Sequence, residues 1–261
     1  MNLKTILKYI NYKLTAYTEH DVHSPFVYSF YMELLKPKQP YNDFLELNTL
    51  RKELEAKSET IEITDLGAGS KKLNSNKRKV GDIARHGIAQ KKQAEFLYRL
   101  IHQFNPKTLV ELGTSIGLTS LYLSKAASGS QLYTIEGCPN LTAFSNTLFQ
   151  KQQAKNIYSL NGNFNEVLPT LLSELDSLDF IYIDGNHTYE PTMHYFNLAL
   201  QKKNPSTIMV FDDIYWSSDM ERAWKEIHSN PEVSLSMDFF HFGIVFFRTE
   251  QKNKEHFVLK F

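Results

Sequence analysis

An apolar run of Leu109, Val110 and Leu112 stops at Gly113, and a helical pattern begins after Gly117 through Leu118, Leu121, Tyr122, Leu123 and Ala126. Strand, glycine turn and helix in this order form the first unit of a nucleotide-binding α/β sheet. The glycines let backbone approach a ligand with no Cβ in the way. A helix starting at Gly117 offers free N–H groups to polar ligand atoms. Glu111 interrupts the run near its end. The spacing is Glu111-x-Gly113-x-x-x-Gly117, with Thr114 and Ser115 in the turn, so it lacks the third glycine of the dinucleotide fingerprint G-x-G-x-x-G.

A second strand, 131–136, ends in Glu136, 23 residues after Gly113. That is close to the spacing of roughly 20 expected of a carboxylate that accepts from both ribose hydroxyls. A solvated glutamate at a strand end is the bland alternative.

At 261 residues the chain suffices for one large domain, or one domain with a small extension, and needs no staples. Lys+Arg and Asp+Glu both number 29, which argues against nucleic acid or a membrane surface as the main partner. The single Cys138 excludes an internal disulfide and suits a reducing compartment. No apolar run reaches the roughly 18 residues of a membrane span. Leu3, Ile6, Leu7, Ile10 and Leu14 fall at helical spacing and are broken up by Lys4, Lys8 and Lys13, as expected of an amphipathic helix rather than a signal peptide. A soluble cytoplasmic protein is expected.

Residues 1–89 read as a helical cap or extension, with 90–261 as the main domain. The first helix is expected to run to about Tyr17. Ser24 and Pro25 read as N-cap and first helical residue of the next, and Pro37 and Pro40 end it. A third helix is expected over 42–57. His20 and His23 have no Cys or further His nearby and read as structural or surface residues. A second strand-and-glycine stretch, Asp65-Leu-Gly-Ala-Gly, is followed by the polar, basic run 71–79 instead of a helix, so it is rejected as a cofactor loop. The basic run reads as a mobile loop, either a solvated charge run or a partner for an anionic substrate. A helix over 89–104 leads into the first motif.

Beyond residue 107, strands and helices alternate. Helix 139–154 precedes strand 156–160. Helix 165–176 precedes strand 178–184, which ends in Asp184. Helix 190–203 precedes strand 207–213, which ends in Asp212 and Asp213. Ser218-x-x-Glu221 reads as a capping box. Residues 233–240 and 241–247 suit an antiparallel pair at a sheet edge, and 255–261 an edge strand or packed tail. Ligands in such sheets bind beyond the carboxyl ends of the strands. Four acids at one rim would repel without a cation, ligand hydroxyls or raised pKa values.

Residues 90–247 resemble a class I S-adenosylmethionine (SAM)-dependent O-methyltransferase, in the group that includes catechol, caffeoyl-CoA and antibiotic-sugar O-methyltransferases. The resemblance rests on Val110-Glu-Leu-Gly-Thr-Ser-Ile-Gly117, on Asp179-Phe-Ile-Tyr-Ile-Asp-Gly-Asn-His-Thr-Tyr189 and on Val210-Phe-Asp-Asp213. The first 90 residues resemble uncharacterised bacterial members. The fold implied is a Rossmann-like, seven-stranded, mostly parallel sheet with an antiparallel last strand. The implied cofactor is SAM, held by Glu111, Gly113, Thr114, Ser115, Gly117, Glu136, Asn163 and Asp184, with the Asn163 amide in place of the family's acid near the adenine. The implied metal ligands are Asp184, Asp212 and Asp213, hard carboxylates suited to Mg²⁺, Mn²⁺ or Ca²⁺. A cation there would lower the pKa of an acceptor hydroxyl and align it with the methyl group. In the alternative, one Asp caps a helix or binds the SAM amino group.

His187 occupies the position of the catechol enzymes' basic lysine and is the base candidate. Its alternative roles are orienting the loop or donating to the SAM carboxylate. Asn186 stands where sugar-modifying relatives carry an Asp base. The expected reaction is O-methylation of a small hydroxylated molecule. Methylation of RNA or another macromolecule, and a non-catalytic binding protein on the same fold, are the alternatives. The apolar N-terminal helices could cover the site or form a homodimer contact.

Overall fold

The computed structural model describes residues 3–64 and 76–261. Most of its helices follow the apolar periodicity of the sequence, and most of its strands follow the short β-branched and aromatic runs between them. Contacts divide the chain into two units: the N-terminal stretch through Lys38 with Leu175–Phe261, and Gln39–Glu174. The second glycine turn and most of the basic run, residues 65–75, lie outside the described residues.

The first unit opens with α1 (Leu3–Thr15) and α2 (Pro25–Phe30), which continues as one π-helical stretch, Tyr31–Leu35. Ser24 stands at the N-cap and Pro25 begins the helix, but the Ser24 side chain makes no capping bond. In the Gln39–Glu174 unit, α3 (Asp43–Glu55) buries Phe44, Leu47, Leu50 and Leu54. There follow β1 (Thr60–Glu62), β2 (Lys77–Lys79), α4 (Val80–His86) and α5 (Lys91–Phe104). The unit continues with β3 (Thr108–Leu112), α6 (Leu118–Ala126), β4 (Gln131–Glu136), α7 (Pro139–Lys151), β5 (Ile157–Asn161) and α8 (Phe164–Glu174). Strands β3, β4 and β5 are parallel neighbours in that order. Such parallel pairing needs helical crossovers, and α6 and α7 supply them.

The chain then returns to the first unit with β6 (Leu178–Ile183), α9 (Tyr189–Leu200), β7 (Lys203–Asp212), α10 (Ser218–Ser229), β8 (Leu235–Asp238), β9 (Phe242–Phe246) and β10 (Glu255–Val258). β6 and β7 are parallel, β9 runs antiparallel to both β7 and β8, and β10 lies parallel to β8 at the edge. Apart from the β1–β2 ribbon, the described residues form eight strands, mostly parallel, and the tail strand β10 is the eighth. The fold is α/β and Rossmann-like.

α1 is fastened to the tail. The Tyr12 hydroxyl donates to the Leu259 carbonyl at 2.8 Å and accepts the Phe261 N–H at 2.8 Å. The Tyr17 N–H donates to Val258 O at 2.8 Å, and Lys260 N–H donates to Tyr17 O at 2.9 Å. The opposite face of α1 leaves Ile6, Leu7, Ile10 and Leu14 exposed, Leu14 by 80 %.

Two local expectations change. The end of the basic run is strand, because Lys77–Lys79 pairs antiparallel with Thr60–Glu62 and sets Lys77 opposite Glu62. α4, which sequence periodicity did not reveal, follows directly from that strand. The cap of α10 is Ser217 rather than Ser218: its backbone is extended and its hydroxyl accepts from Met220 N–H at 3.1 Å, which leaves Ser218 inside the helix.

Candidate active site

In the Gln39–Glu174 unit, the turn after β3 is built on positive φ angles: 104° at Gly113, 50° at Ser115 and 84° at Gly117. Gly117 has no alternative, since a Cβ there would lie 2.7 Å from the Phe149 ring and 2.9 Å from Ser145. Gly113 N–H donates to Ile135 O at 3.0 Å and holds the turn against β4. Thr114 and Thr134 join their hydroxyls at 2.5 Å in the buried layer beneath it.

Glu136, at the end of β4, is gripped from both sides. Its Oε2 accepts Ser115 N–H at 2.8 Å and its Oε1 accepts Cys138 N–H at 2.9 Å. Its carbonyl accepts from Gly162 N–H at 3.0 Å and from Asn161 Nδ2 at 2.8 Å. These bonds fix the direction of the carboxylate.

Glu111 lies fully buried beneath the turn. Its Oε2 accepts from Ser120 Oγ and, at 2.6 Å, from Thr134 Oγ1, while Oε1 is buried with no hydrogen-bond partner among the described residues. Burial pushes its pKa up to about 7; the hydroxyls of Ser120 and Thr134 oppose the shift and the charge of Glu136 adds to it. Asn163 opens α8, with its Oδ1 accepting Asn165 N–H at 2.9 Å.

In the other unit, three acids stand at the ends of β6 and β7. The Tyr182 hydroxyl donates to Asp212 Oδ2 at 2.5 Å and lies 3.3 Å from Asp184 Oδ2. Asp212 Oδ1 accepts Asp213 N–H at 2.9 Å. His187 Nε2 lies 3.6 Å from Asp184 Oδ1 and 3.9 Å from Asp213 Oδ2. Burial pushes the Asp213 carboxyl up to about 7, with the charge of Asp212 adding to the shift. Burial lowers the His187 pKa, opposed by the charge of Asp212. The imidazole therefore stays neutral near neutral pH, with a lone pair available to accept a proton.

Backbone strain collects here as well. Asn186, Asp213 and Phe240 have φ of 57°, 54° and 69°, a region that side chains other than glycine seldom occupy and that clusters at functional sites. Asn186 Nδ2 donates to the Tyr195 hydroxyl at 3.1 Å, so it serves the loop and not proton transfer.

Among the described residues, no three His, Cys, Asp or Glu side chains gather as a metal site requires. The carboxylates have the chemistry of hard-cation ligands, but Asp212 is turned to Tyr182 and to the Asp213 backbone, and the His187 ring stands between Asp184 and Asp213. As arranged, the donor set does not fit a bound cation. Sequence reasoning did not single out Tyr182. Its signal was the two-residue spacing to Asp184, which puts both on one face of the strand.

Residues 110–214 match the family described as methyltransferase domain. Over 125 residues the chain is 27 % identical to a catechol O-methyltransferase of Niastella koreensis; the match covers 47 % of this chain and 56 % of that protein. The fold is similar to the O-methyltransferase TomG of Streptomyces achromogenes, solved with SAM (TM-score 0.54, 19 % identity, 62 % of this chain and 82 % of that one). It is also similar to an O-methyltransferase of Bacillus cereus solved with S-adenosylhomocysteine (TM-score 0.57, 17 % identity, 83 % and 95 %). Residues 110–214, which hold the strained turn after β3 and the acid ending β4, thus match a methyltransferase domain, on a fold similar to that of solved O-methyltransferases.

Proposed function

We propose that the chain is a SAM-dependent O-methyltransferase acting on a hydroxyl group of a small molecule. The observation that carries the reading is Glu136, held by the N–H groups of Ser115 and Cys138 at the end of β4. The residues fit the cofactor. Gly117 admits no side chain, and the buried Glu111 Oε1 is an acceptor with no protein partner among the described residues. Glu136 would take the ribose hydroxyls, and the turn from Gly113 to Gly117 would pack against the amino-acid end. Asn163, with Oδ1 engaged at the start of α8, would offer its NH₂ to the adenine edge. The Niastella relative, named for catechol, supports a small hydroxylated acceptor.

SAM, when bound, supplies a methyl group activated by its sulfonium. The acceptor hydroxyl must lose its proton as its oxygen takes the methyl. His187, neutral and flanked by Asp184 and Asp213, would accept that proton, and the two carboxylates would stabilise the imidazolium. Tyr182 keeps Asp212 oriented. The resemblance suggests a divalent cation on Asp184, Asp212 and Asp213, but no step is assigned to it, since those side chains are engaged with protein groups. A reducing compartment such as the cytoplasm suits the unpaired Cys138, and no helix among the described residues is long and apolar enough to cross a membrane.

The deciding experiment is calorimetric titration with S-adenosylhomocysteine, with and without Mg²⁺. Micromolar binding, about −8 kcal/mol, that is lost in Glu136→Ala supports the reading; no heat from the wild-type protein overturns it.

A further inference from the structure

Cys138 joins two features of the Gln39–Glu174 unit. Its backbone N–H holds Glu136 at 2.9 Å. Its side chain reaches the other way, where Sγ accepts Thr64 N–H at 3.3 Å and approaches the Glu62 carbonyl at 3.7 Å. Two residues on, Asn140 Nδ2 donates to that same carbonyl at 2.8 Å. Residues 62–64 close the β1–β2 ribbon, where Ile63 N–H donates to Asn76 O at 2.6 Å and Ile61 is buried. The ribbon is therefore fastened to the short loop between Glu136 and α7, although it lies outside the matched residues 110–214.

Among the described residues, few other hydrogen bonds constrain the outer side of the loop. Pro139 begins α7 and leaves no N–H to bond there, and Cys138 has the extended backbone of an N-cap with no side-chain capping bond. Thr142 N–H donates to Cys138 O at 3.0 Å, which ties the loop to the helix but does not set the direction of the Cys138 N–H. The Sγ and Asn140 contacts supply that missing restraint.

We propose that Cys138 and Asn140 are positioning residues for cofactor binding: through them the β1–β2 ribbon holds the Cys138 N–H on Glu136 and so fixes the carboxylate for the ribose. This rests on the reading of Glu136 as the ribose ligand. Neither side chain needs to touch the cofactor. Without the ties, the loop samples orientations in which Glu136 has lost one of its two N–H donors, and a binding-competent carboxylate is populated less often. Apparent affinity falls in proportion to that population.

The test uses the full chain and S-adenosylhomocysteine as the titrant. Asn140→Ala, at an exposed position, and Cys138→Ala each remove a tie and leave the backbone N–H and Glu136 in place. Each is expected to weaken binding roughly five- to tenfold, the scale of one lost hydrogen bond. KM for SAM should rise by more than kcat falls. Cys138→Ser, which can accept and donate as the thiol does, is expected to bind close to wild type. Unchanged affinity in both alanine variants overturns the inference. So does a Cys138→Ser variant as weak as Cys138→Ala, which would make the effect one of packing. Should Cys138→Ala fail to fold, the comparison of Asn140→Ala with wild type decides alone. Wild-type protein that binds no S-adenosylhomocysteine at all overturns instead the reading of Glu136.

Discussion

The Tyr182 hydroxyl meets the Asp212 carboxylate at 2.5 Å, from the buried strand β6 to the end of its parallel neighbour β7. The contact keeps a carboxylate that is only 7 % exposed hydrogen-bonded on one oxygen, while the Asp213 N–H serves the other. Tyr182→Phe removes the donor and leaves the shape. The expected cost is roughly 1–3 kcal/mol of unfolding free energy, read from the midpoint of urea denaturation; an unchanged midpoint would show that the bond contributes nothing. The variant also removes one competitor for Asp212 Oδ2. Mg²⁺ should then raise its melting temperature more than that of the wild type, and an equal rise in both would mean that Tyr182 does not compete with a cation.

Glu111 makes stability depend on pH in a definite direction. Its pKa is raised from 4.5 to about 7 by burial. A carboxyl raised on folding contributes stability that is fully present below its unfolded pKa and is lost as pH rises through its folded one. The loss here spans pH 4.5 to about 7 and amounts to roughly 3 kcal/mol. Glu111→Gln retains an acceptor for Ser120 and Thr134 and does not titrate. Its stability relative to wild type should therefore be greater at pH 8 than at pH 5, measured by chemical denaturation at both. A constant difference would place the Glu111 pKa back in the ordinary range.

Gly117→Ala should damage the cofactor turn directly. The new Cβ meets the Phe149 ring at 2.7 Å, on a backbone with φ of 84°. A loss of roughly 1–3 kcal/mol in stability is expected, with S-adenosylhomocysteine binding lost from the calorimetric signal. Binding at wild-type affinity would show that the turn does not carry the cofactor.

His187→Asn separates proton acceptance from cofactor binding. With a phenolic acceptor, kcat should fall by roughly 10²–10⁴, while S-adenosylhomocysteine affinity stays within about twofold, a change worth less than 1 kcal/mol. In the wild type, the acid limb of the rate profile should lie below the ordinary histidine range, because burial lowers the His187 pKa. A variant that keeps its rate would move the base elsewhere in the cluster.

What could be read in advance was local. The apolar run, the two glycines and the acid of β4 specify a strand, a turn and a strand end within some thirty residues, and no distant partner is needed to recognise them. Asp184, Asp212 and Asp213 were visible as acids at strand ends for the same reason, and His187 through the resemblance. The role of Tyr182 was not, because periodicity reports which face a side chain takes and not whose oxygen its hydroxyl meets. β2 was hidden because Lys77–Lys79 has no strand-forming residues of its own and owes its form to Thr60–Glu62, beyond residues 65–75. The choice between Ser217 and Ser218 as cap turns on one backbone angle, to which two adjacent serines give no clue.

The tie between Tyr12 and Leu259 has a consequence for synthesis. The two residues are 247 positions apart. At roughly 5–20 residues per second, a ribosome needs on the order of 10–50 s to deliver the second after the first. Through that interval α1 has emerged without the tail to which Tyr12 is bonded in the fold. The N-terminal helix must keep its apolar side chains from wrong partners until the tail arrives.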